Sequence, residues 1–274
     1  MISKHPIVGW GLAPTDAPNE CHEKSMLWLK AWMSLRTSAY AGVASRPTEE
    51  KTMTADVDHN KLIKQTANAV LKPHGLLQKG TSRIWIDDNG WYLTVVEFQP
   101  SSWDKGTYLN VGINYLWNEQ ECLSFDYGHR VGTFVSFKGN EEESTAKLNT
   151  LSETALEKAE EYRRFRDLGY AKRRILATER KSNKTRSLYN SLMICGLCRD
   201  RRALRYYKKL SEHLLHSQFD WEKAYTDELT ERIGLVIGNA DLLYTYVCEK
   251  IERQRTFWRS KSSMKKLAET FTLN

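Results

Sequence analysis

The sequence predicts an α+β fold, in which a helix packs on an antiparallel sheet of four to five strands, followed by an all-helical C-terminal domain. Within residues 80–138, apolar and polar side chains alternate with a period of two, which is typical of strands that lay one face on a core. Residues 141–274 instead place apolar side chains three and four positions apart, which is the period of a helix. We therefore expect an irregular extension over 1–52, an α+β domain over 53–140 and a helical domain over 141–274.

The composition is that of a globular protein. The 274 residues are 41% hydrophobic and 27% charged, and this balance excludes disorder of the whole chain. The mean hydropathy of −0.59 and the lack of a long apolar run argue against a membrane-spanning helix. The five cysteines are odd in number and scattered, and the first residues lack the apolar segment of a signal peptide. We expect a cytoplasmic protein.

The first 52 residues differ from the rest because Gly and Pro punctuate them. Met53 then begins a stretch that looks like a normal protein start. Two explanations of residues 1–52 stay open: a poorly structured extension, or an artefact of an upstream start site.

The first helix is predicted over residues 59–72. Asp58 can cap its N-terminus, Ile63 and Ala67 lie on one apolar face, and Pro73 with Gly75 ends it. That apolar face is suited to cover a sheet.

The strands are predicted around an Asn89–Gly90 turn, which is the strongest short signal for a hairpin. Strands are expected at 84–86, 91–98, 108–115 and 131–137, with a further short strand at 123–125. In the third of these, Leu109, Val111 and Ile113 should face the core.

Several short motifs in this region resemble one protein family. They are Lys72-Pro73-His74-Gly75, Gln99-Pro100-Ser101-Ser102-Trp103, Asn110-Val111-Gly112-Ile113 and His129-Arg130-Val131-Gly132. In this order, over about residues 55–140, the chain resembles the bacterial family labelled domain of unknown function 4304. The resemblance implies an α+β domain and a bacterial source, and it implies no catalytic residue.

The C-terminal third is predicted to be helical throughout. A first helix should begin at Ser144 or Thr145 and run to Leu168, and a helical hairpin should turn near Asp200. One long helix with an apolar seam is expected from Tyr225 to Ile251. The pair Cys195 and Cys198 lacks a second pair of ligands at zinc-site spacing, so we expect core residues there, with neither a metal nor a cofactor.

Basic residues concentrate in the helical part. Residues 158–209 hold 17 Lys and Arg against five Asp and Glu, in a chain of net charge +7. Such a density can neutralise phosphates, and interleaved Tyr206, Tyr207 and Trp258 could stack on bases. The predicted binding residues are Arg163, Arg164, Arg166, Lys172, Arg173, Arg174, Arg201, Arg202 and Arg205.

The sequence favours binding over catalysis, because the familiar catalytic motifs are lacking. We expect a binding or interaction protein whose basic helical domain binds nucleic acid or an acidic protein partner. The alternative is an enzyme of unknown reaction that uses His129 and Arg130 as an acid–base pair with an anion contact.

Overall fold

The computed structural model describes residues 58–138, 140–178, 184–216, 219–265 and 267. The expected extension over 1–52 lies outside the described residues. Residues 53–274 group into one unit by their contacts in space. Within this unit, the sheet and the C-terminal helices share one hydrophobic core. A separate helical domain therefore stays a prediction.

Five antiparallel strands form a meander in which each strand pairs with the next along the chain. The strands are β1 Leu77–Gln78, β2 Ile84–Asp88, β3 Tyr92–Pro100, β4 Gly106–Tyr115 and β5 Tyr127–Ser136. The predicted α+β class with an antiparallel sheet is confirmed. Residues 123–125 form no strand, in contrast to the prediction. Phe125 instead covers Gly112 of β4, where a Cβ atom would lie 2.2 Å from its ring.

The helices follow the sheet in the chain, apart from the first. They are α1 His59–Leu71, α2 Glu141–Arg163, α3 Leu168–Ala177, α4 Lys184–Leu197, α5 Ala203–Leu214, α6 Lys223–Glu228, α7 Gly234–Val236 and α8 Ala240–Ser260, with a π-helical segment, Leu229–Ile233, between α6 and α7. None of the helices within the described ranges combines the length and the apolar character needed to cross a bilayer.

Helix α1 agrees with its prediction. The Asp58 carboxylate accepts hydrogen bonds from the backbone N–H groups of Asn60 and Lys61, at 3.0 and 3.2 Å. The helix packs beside α2, which crosses β3, β4 and β5, and the Asn68 amide oxygen accepts from the Trp85 indole at 2.9 Å. The side chains of Leu109, Val111 and Ile113 are buried, as the alternation predicts, but the other face of β4 is covered as well, since Asn110 and Asn114 are also buried.

Three predicted helix boundaries are wrong, and local capping explains each of them. Helix α2 ends at Arg163 and not at Leu168, because the Asp167 side chain accepts from the backbone N–H of Tyr170 and caps a new helix, α3. Helix α2 begins at Glu141 because the Asn140 side chain accepts from the backbone N–H of Glu143 at 2.8 Å. The long helix expected from Tyr225 to Ile251 is interrupted before α8. There the Asn239 side chain accepts from the backbone N–H groups of Asp241 and Leu242 and starts a new helix.

The last two residues of β2 and the residue that follows them fix three helical segments to the sheet. Asp87 pairs with Arg163 at the end of α2, with 2.8 Å between carboxylate and Nε. Asp88 takes both terminal nitrogens of Arg255 on α8, at 2.7 and 2.9 Å. The Asn89 side-chain oxygen accepts from Arg166, just after α2, at 2.7 Å. We call Asp87, Asp88 and Asn89 the arginine-binding turn. The three residues give each helical segment a fixed position at one end of the sheet.

We predict that Arg255→Ala lowers the free energy of unfolding by about 3–5 kcal/mol, because it removes the partner of a carboxylate that is held away from water. Arg255 is 1% exposed, and its guanidinium also donates to the Gly90 carbonyl at 2.8 Å. Urea unfolding followed by circular dichroism measures the change. The control is Arg253→Ala, two residues away, where an exposed pair with Glu119 is lost and the expected cost is about 1 kcal/mol or less. Equal losses for the two variants would contradict this role for the turn.

Candidate nucleic-acid interface

Two of the predicted binding residues serve the fold. Arg163 donates to Asp87 and, through Nη2, to the His74 carbonyl at 2.6 Å. Arg166 donates to Asn89, as described above. Both side chains therefore hold the arginine-binding turn, and their hydrogen-bonding capacity is partly used within the chain.

Two further predicted residues are held by aromatic side chains. The Arg164 guanidinium lies 4.5 Å from the centre of the Tyr170 ring, and Arg174 donates to the Tyr127 hydroxyl at 2.8 Å. Both arginines are exposed at the surface. These contacts orient the side chains without neutralising their charge.

Asp200 joins cations from two separate segments. One carboxylate oxygen accepts from Lys172 of α3 at 2.8 Å and from Arg202 at 2.7 Å, and the other accepts from the backbone N–H of Arg202 at 3.0 Å. The hydrogen bonds from Arg202, together with those from Lys172, hold the pKa of Asp200 well below its ordinary value. The carboxylate is therefore ionised at neutral pH, and it ties α3 to the turn before α5.

The chain reaches this position through a strained turn. Arg199 follows α4 with a φ of 49°, a left-handed conformation that is uncommon for a residue other than Gly. The backbone N–H groups of Arg199 and Asp200 bond back to the carbonyls of Gly196 and Cys195, at 3.0 and 2.8 Å. This pattern is a Schellman motif, which ends α4 and directs Asp200 toward Lys172.

The remaining predicted cations are available to a partner. Arg173, Arg201 and Arg205 are exposed, and none of them forms a hydrogen bond or ion pair with a described residue. Together with the two cations on Asp200 they make up what we call the Asp200 surface: Lys172, Arg173, Arg201, Arg202 and Arg205.

Helix stability does not account for the arginines of this surface. Arg201, Arg202 and Arg205 lie around the first turn of α5, where the helix dipole makes positive charge unfavourable. Arg202 occupies the N-cap position, and its side chain makes no capping hydrogen bond. A helix N-terminus with several arginines is a favourable place for an anion.

None of the aromatic residues proposed for base stacking is exposed. Tyr206 and Trp258 are buried, at 5% and 2% exposure. Tyr207 is half-buried, and its hydroxyl lies 3.5 Å from the Leu229 carbonyl. The Asp200 surface therefore offers guanidinium and ammonium groups, and its neighbouring aromatic rings belong to the core.

The residues of the alternative enzymatic site lie on opposite faces of β5. Arg130 pairs in register with Asn110, donates to the Gln99 side chain at 3.0 Å and lies 3.8 Å from the centre of the Tyr108 ring. His129 is in register with Val111 and is exposed on the other face. Because successive strand residues point to opposite sides, the structure does not bring the two side chains together.

The cysteine pair belongs to the helical core. Cys195 is buried, and burial raises the pKa of its thiol to about 12. Within the described residues, no three His, Cys, Asp or Glu side chains are grouped so as to hold a metal ion.

No family model matches the chain, and neither the curated proteins nor the solved structures gave a significant match. Membership of the family labelled domain of unknown function 4304 therefore stays a prediction.

The sequence predicted a turn at Asp200 but not the role of its carboxylate. The available signal was an acidic residue inside a run of arginines, Arg199 to Arg202. A single carboxylate among cations can accept charge-assisted hydrogen bonds from several of them and so fix their positions.

We predict that Asp200→Asn lowers the free energy of unfolding by about 1–2 kcal/mol at neutral pH, because charge-assisted hydrogen bonds to two cations are lost. Since folding depresses the pKa of Asp200 below its ordinary value of 3.8, this stabilisation is complete well above that pH. It should diminish as the pH falls below about 4, so the gap between wild type and variant narrows in acid. Urea unfolding at several pH values measures the difference in the free energy of unfolding between wild type and variant.

Asp241→Asn, which removes an exposed carboxylate that pairs with Arg199, is the control with a smaller expected effect. A difference in the free energy of unfolding that widens in acid would contradict the depressed pKa of Asp200.

Proposed function

We propose that the protein binds the phosphate backbone of nucleic acid through the Asp200 surface. One observation carries the proposal: Asp200 holds Lys172 and Arg202 on one surface, and Arg173, Arg201 and Arg205, which pair with no described residue, lie beside them in the chain. Arginine is well suited to this task, because its planar guanidinium can donate two parallel hydrogen bonds to a phosphate.

The charge of the chain supports the same interpretation. Over residues 164–178 and 199–209 there are eleven Lys and Arg, against Asp167 and Asp200 alone. Such a surface releases counterions from a polyanion when it binds, and it accelerates the encounter through long-range attraction.

Nucleic acid is favoured over an acidic protein as the partner. Protein interfaces usually centre on aromatic anchors, and here Tyr206 and Tyr207 pack toward the core. Since neither Tyr206 nor Tyr207 is exposed, a duplex is favoured over a single strand, because single-strand binding relies on base stacking. We therefore propose recognition of the duplex backbone without base readout.

The enzymatic alternative receives no support from an arrangement of residues, since His129 and Arg130 point to opposite faces of β5. A bacterial source and a cytoplasmic location also remain parts of the proposal.

The test is a salt titration of the full chain with a duplex DNA and a duplex RNA, measured by fluorescence anisotropy. Wild type should bind, with an affinity that falls linearly on logarithmic axes as salt rises. Arg201→Glu with Arg205→Glu should weaken binding by about tenfold or more, and should reduce the magnitude of the salt slope by about two.

The control variant carries the same change of net charge at another place. Lys61→Glu and Lys72→Glu alter exposed lysines on α1 and just after it. This variant should retain most of the affinity and the full salt slope. Equal weakening by both variants would overturn the assignment to the Asp200 surface. Absence of binding by wild type at low salt would overturn nucleic acid as the partner and leave an acidic protein to be tested.

A further inference from the structure

A concave surface of about 780 Å³ lies at the end of the sheet where β3 leads into β4. The arginine-binding turn is at the other end of β3, and none of the five residues of the Asp200 surface lines this concavity. It is therefore separate from the proposed nucleic-acid interface. We call it the Trp103 surface, and it is lined by Asp58, His59, Asn60, Arg83, residues 100–106 and Phe137.

The indole of Trp103 is exposed to a degree that the packing of the protein does not explain. It is 90% exposed, the highest value among the exposed large hydrophobic side chains of the described ranges. Exposure of an aromatic ring contributes nothing to folding, because the hydrophobic effect favours its removal from water. Trp is also among the residue types that most often supply binding energy at a surface. The indole is thus available to a ligand.

The loop between β3 and β4 holds Trp103 in this position. Ser101 Oγ accepts hydrogen bonds from the backbone N–H groups of Trp103 and Asp104, at 3.1 and 3.3 Å. The Asp104 carboxylate pairs with Lys138 at 2.9 Å, and the Ser101 N–H donates to the Gly106 carbonyl at 3.2 Å. The hydroxyl of the serine forms this turn, and the residues that follow the serine contribute only their backbone. The geometry of the loop therefore does not account for a Trp at position 103.

A second pair of rings belongs to the same lining. The His59 imidazole is stacked on the Phe137 ring, with 4.2 Å between the ring centres and 10° between the ring planes. His59 is half-buried, so part of this pair is open to solvent. The Trp103 surface therefore combines aromatic rings with the polar groups around them.

Several polar groups of the Trp103 surface have unused hydrogen-bonding capacity. Asp58 caps α1 through its Oδ1 alone, and Asn60 uses its amide oxygen to accept from Arg83 Nε. The Asp58 Oδ2, the Asn60 amide nitrogen and the Ser102 hydroxyl form no hydrogen bond with any described residue. All three residues are exposed, so a ligand can reach these groups. A ligand with several hydroxyl groups can donate to some of them and accept from others.

The charges of the Trp103 surface are balanced. Its lining contains the two carboxylates of Asp58 and Asp104 and the two cations Arg83 and Lys105. Such a lining attracts neither an anion nor a cation strongly, in contrast to the Asp200 surface. Charged side chains around the indole also disfavour a protein partner, because the centres of protein interfaces are depleted of charge. A neutral, hydroxyl-rich ligand fits these properties best.

From these observations we infer that the Trp103 surface binds a neutral saccharide. The C–H face of one pyranose ring lies on the Trp103 indole, whose electron-rich face attracts these hydrogens. The hydroxyl groups of the saccharide form hydrogen bonds with Asp58, Asn60 and Ser102. This inference does not depend on the proposed nucleic-acid binding.

Isotopic labelling of the tryptophan indole nitrogens in the full chain gives a direct test, because each indole N–H produces its own NMR signal. The chain has nine tryptophans, and the signal of Trp103 is the one that Trp103→Tyr removes. The probes are the neutral sugars cellotriose, chitotriose, mannotriose and maltotriose. At least one of them should shift the Trp103 signal saturably at millimolar concentration. The signal of Trp221, which is 44% exposed and lies outside the lining, should not move.

Substitutions at position 103 distinguish ring stacking from a general apolar contact, with saturation-transfer NMR of the sugar as the measurement. Trp103→Tyr keeps an aromatic face and should retain the affinity within about threefold, whereas Trp103→Leu should weaken binding by about tenfold or more. Trp221→Leu is the matched control and should bind as wild type does. Circular dichroism checks that each variant is folded.

Three results would overturn the inference. The first is the absence of a saturable shift with all of these sugars. The second is equal binding of the sugar by Trp103→Leu and wild type, which would indicate an apolar contact without stacking. The third is a shift caused by uridine monophosphate and by none of the sugars, which would assign the indole to an unpaired base.

Discussion

The pairing of arginines with the arginine-binding turn is the constraint on which the rest of the structure depends. Asp87 and Asp88 follow one another on β2, so their side chains leave opposite faces of the sheet. Asp87 therefore holds Arg163 at the end of α2, and Asp88 holds Arg255 of α8. Two helices distant in sequence are thus fixed to one end of a single hairpin. Because both carboxylates are largely shielded from water, loss of either partner leaves a poorly solvated charge.

This constraint divides the cations of the helical part into two groups. Arg163 and Arg166 are used to attach the end of α2 to the turn. Among the described residues, Arg173, Arg201 and Arg205 have no such partner, and Asp200 supplies a second anchor that orders the chain around them. The arginine-binding turn and Asp200 share one chemistry, since in each a carboxylate fixes cations from separate segments. The second anchor has three exposed arginines beside it that pair with no described residue, and it is there that binding to a polyanion is expected.

The sequence predicted those features that depend on neighbouring residues. The Asp58 cap and the Asn89–Gly90 hairpin are each set within a few positions, and the structure contains both. The alternation along β4 predicted its buried apolar face, but not that Asn110 and Asn114 on the other face are buried as well. The partners of Asp87, Asp88 and Asp200 could not be predicted in this way, because their arginines and lysine lie on other elements. The apolar seam from Tyr225 to Ile251 also concealed the break at Asn239, since periodicity continues across a helix end when both helices pack on the same core. A run of basic residues likewise does not reveal which side chains the fold itself uses.

The most direct test of this account compares two matched pairs of substitutions in the full chain, with both stability and duplex binding measured for each. Arg163→Gln with Arg166→Gln removes cations from the arginine-binding turn, and Arg201→Gln with Arg205→Gln removes cations from the Asp200 surface. The account predicts that the first pair lowers the free energy of unfolding and largely retains duplex affinity in the folded protein. It predicts that the second pair retains stability and loses affinity and salt dependence. The same loss of affinity from both pairs, without a difference in stability, would contradict the division between structural and binding arginines.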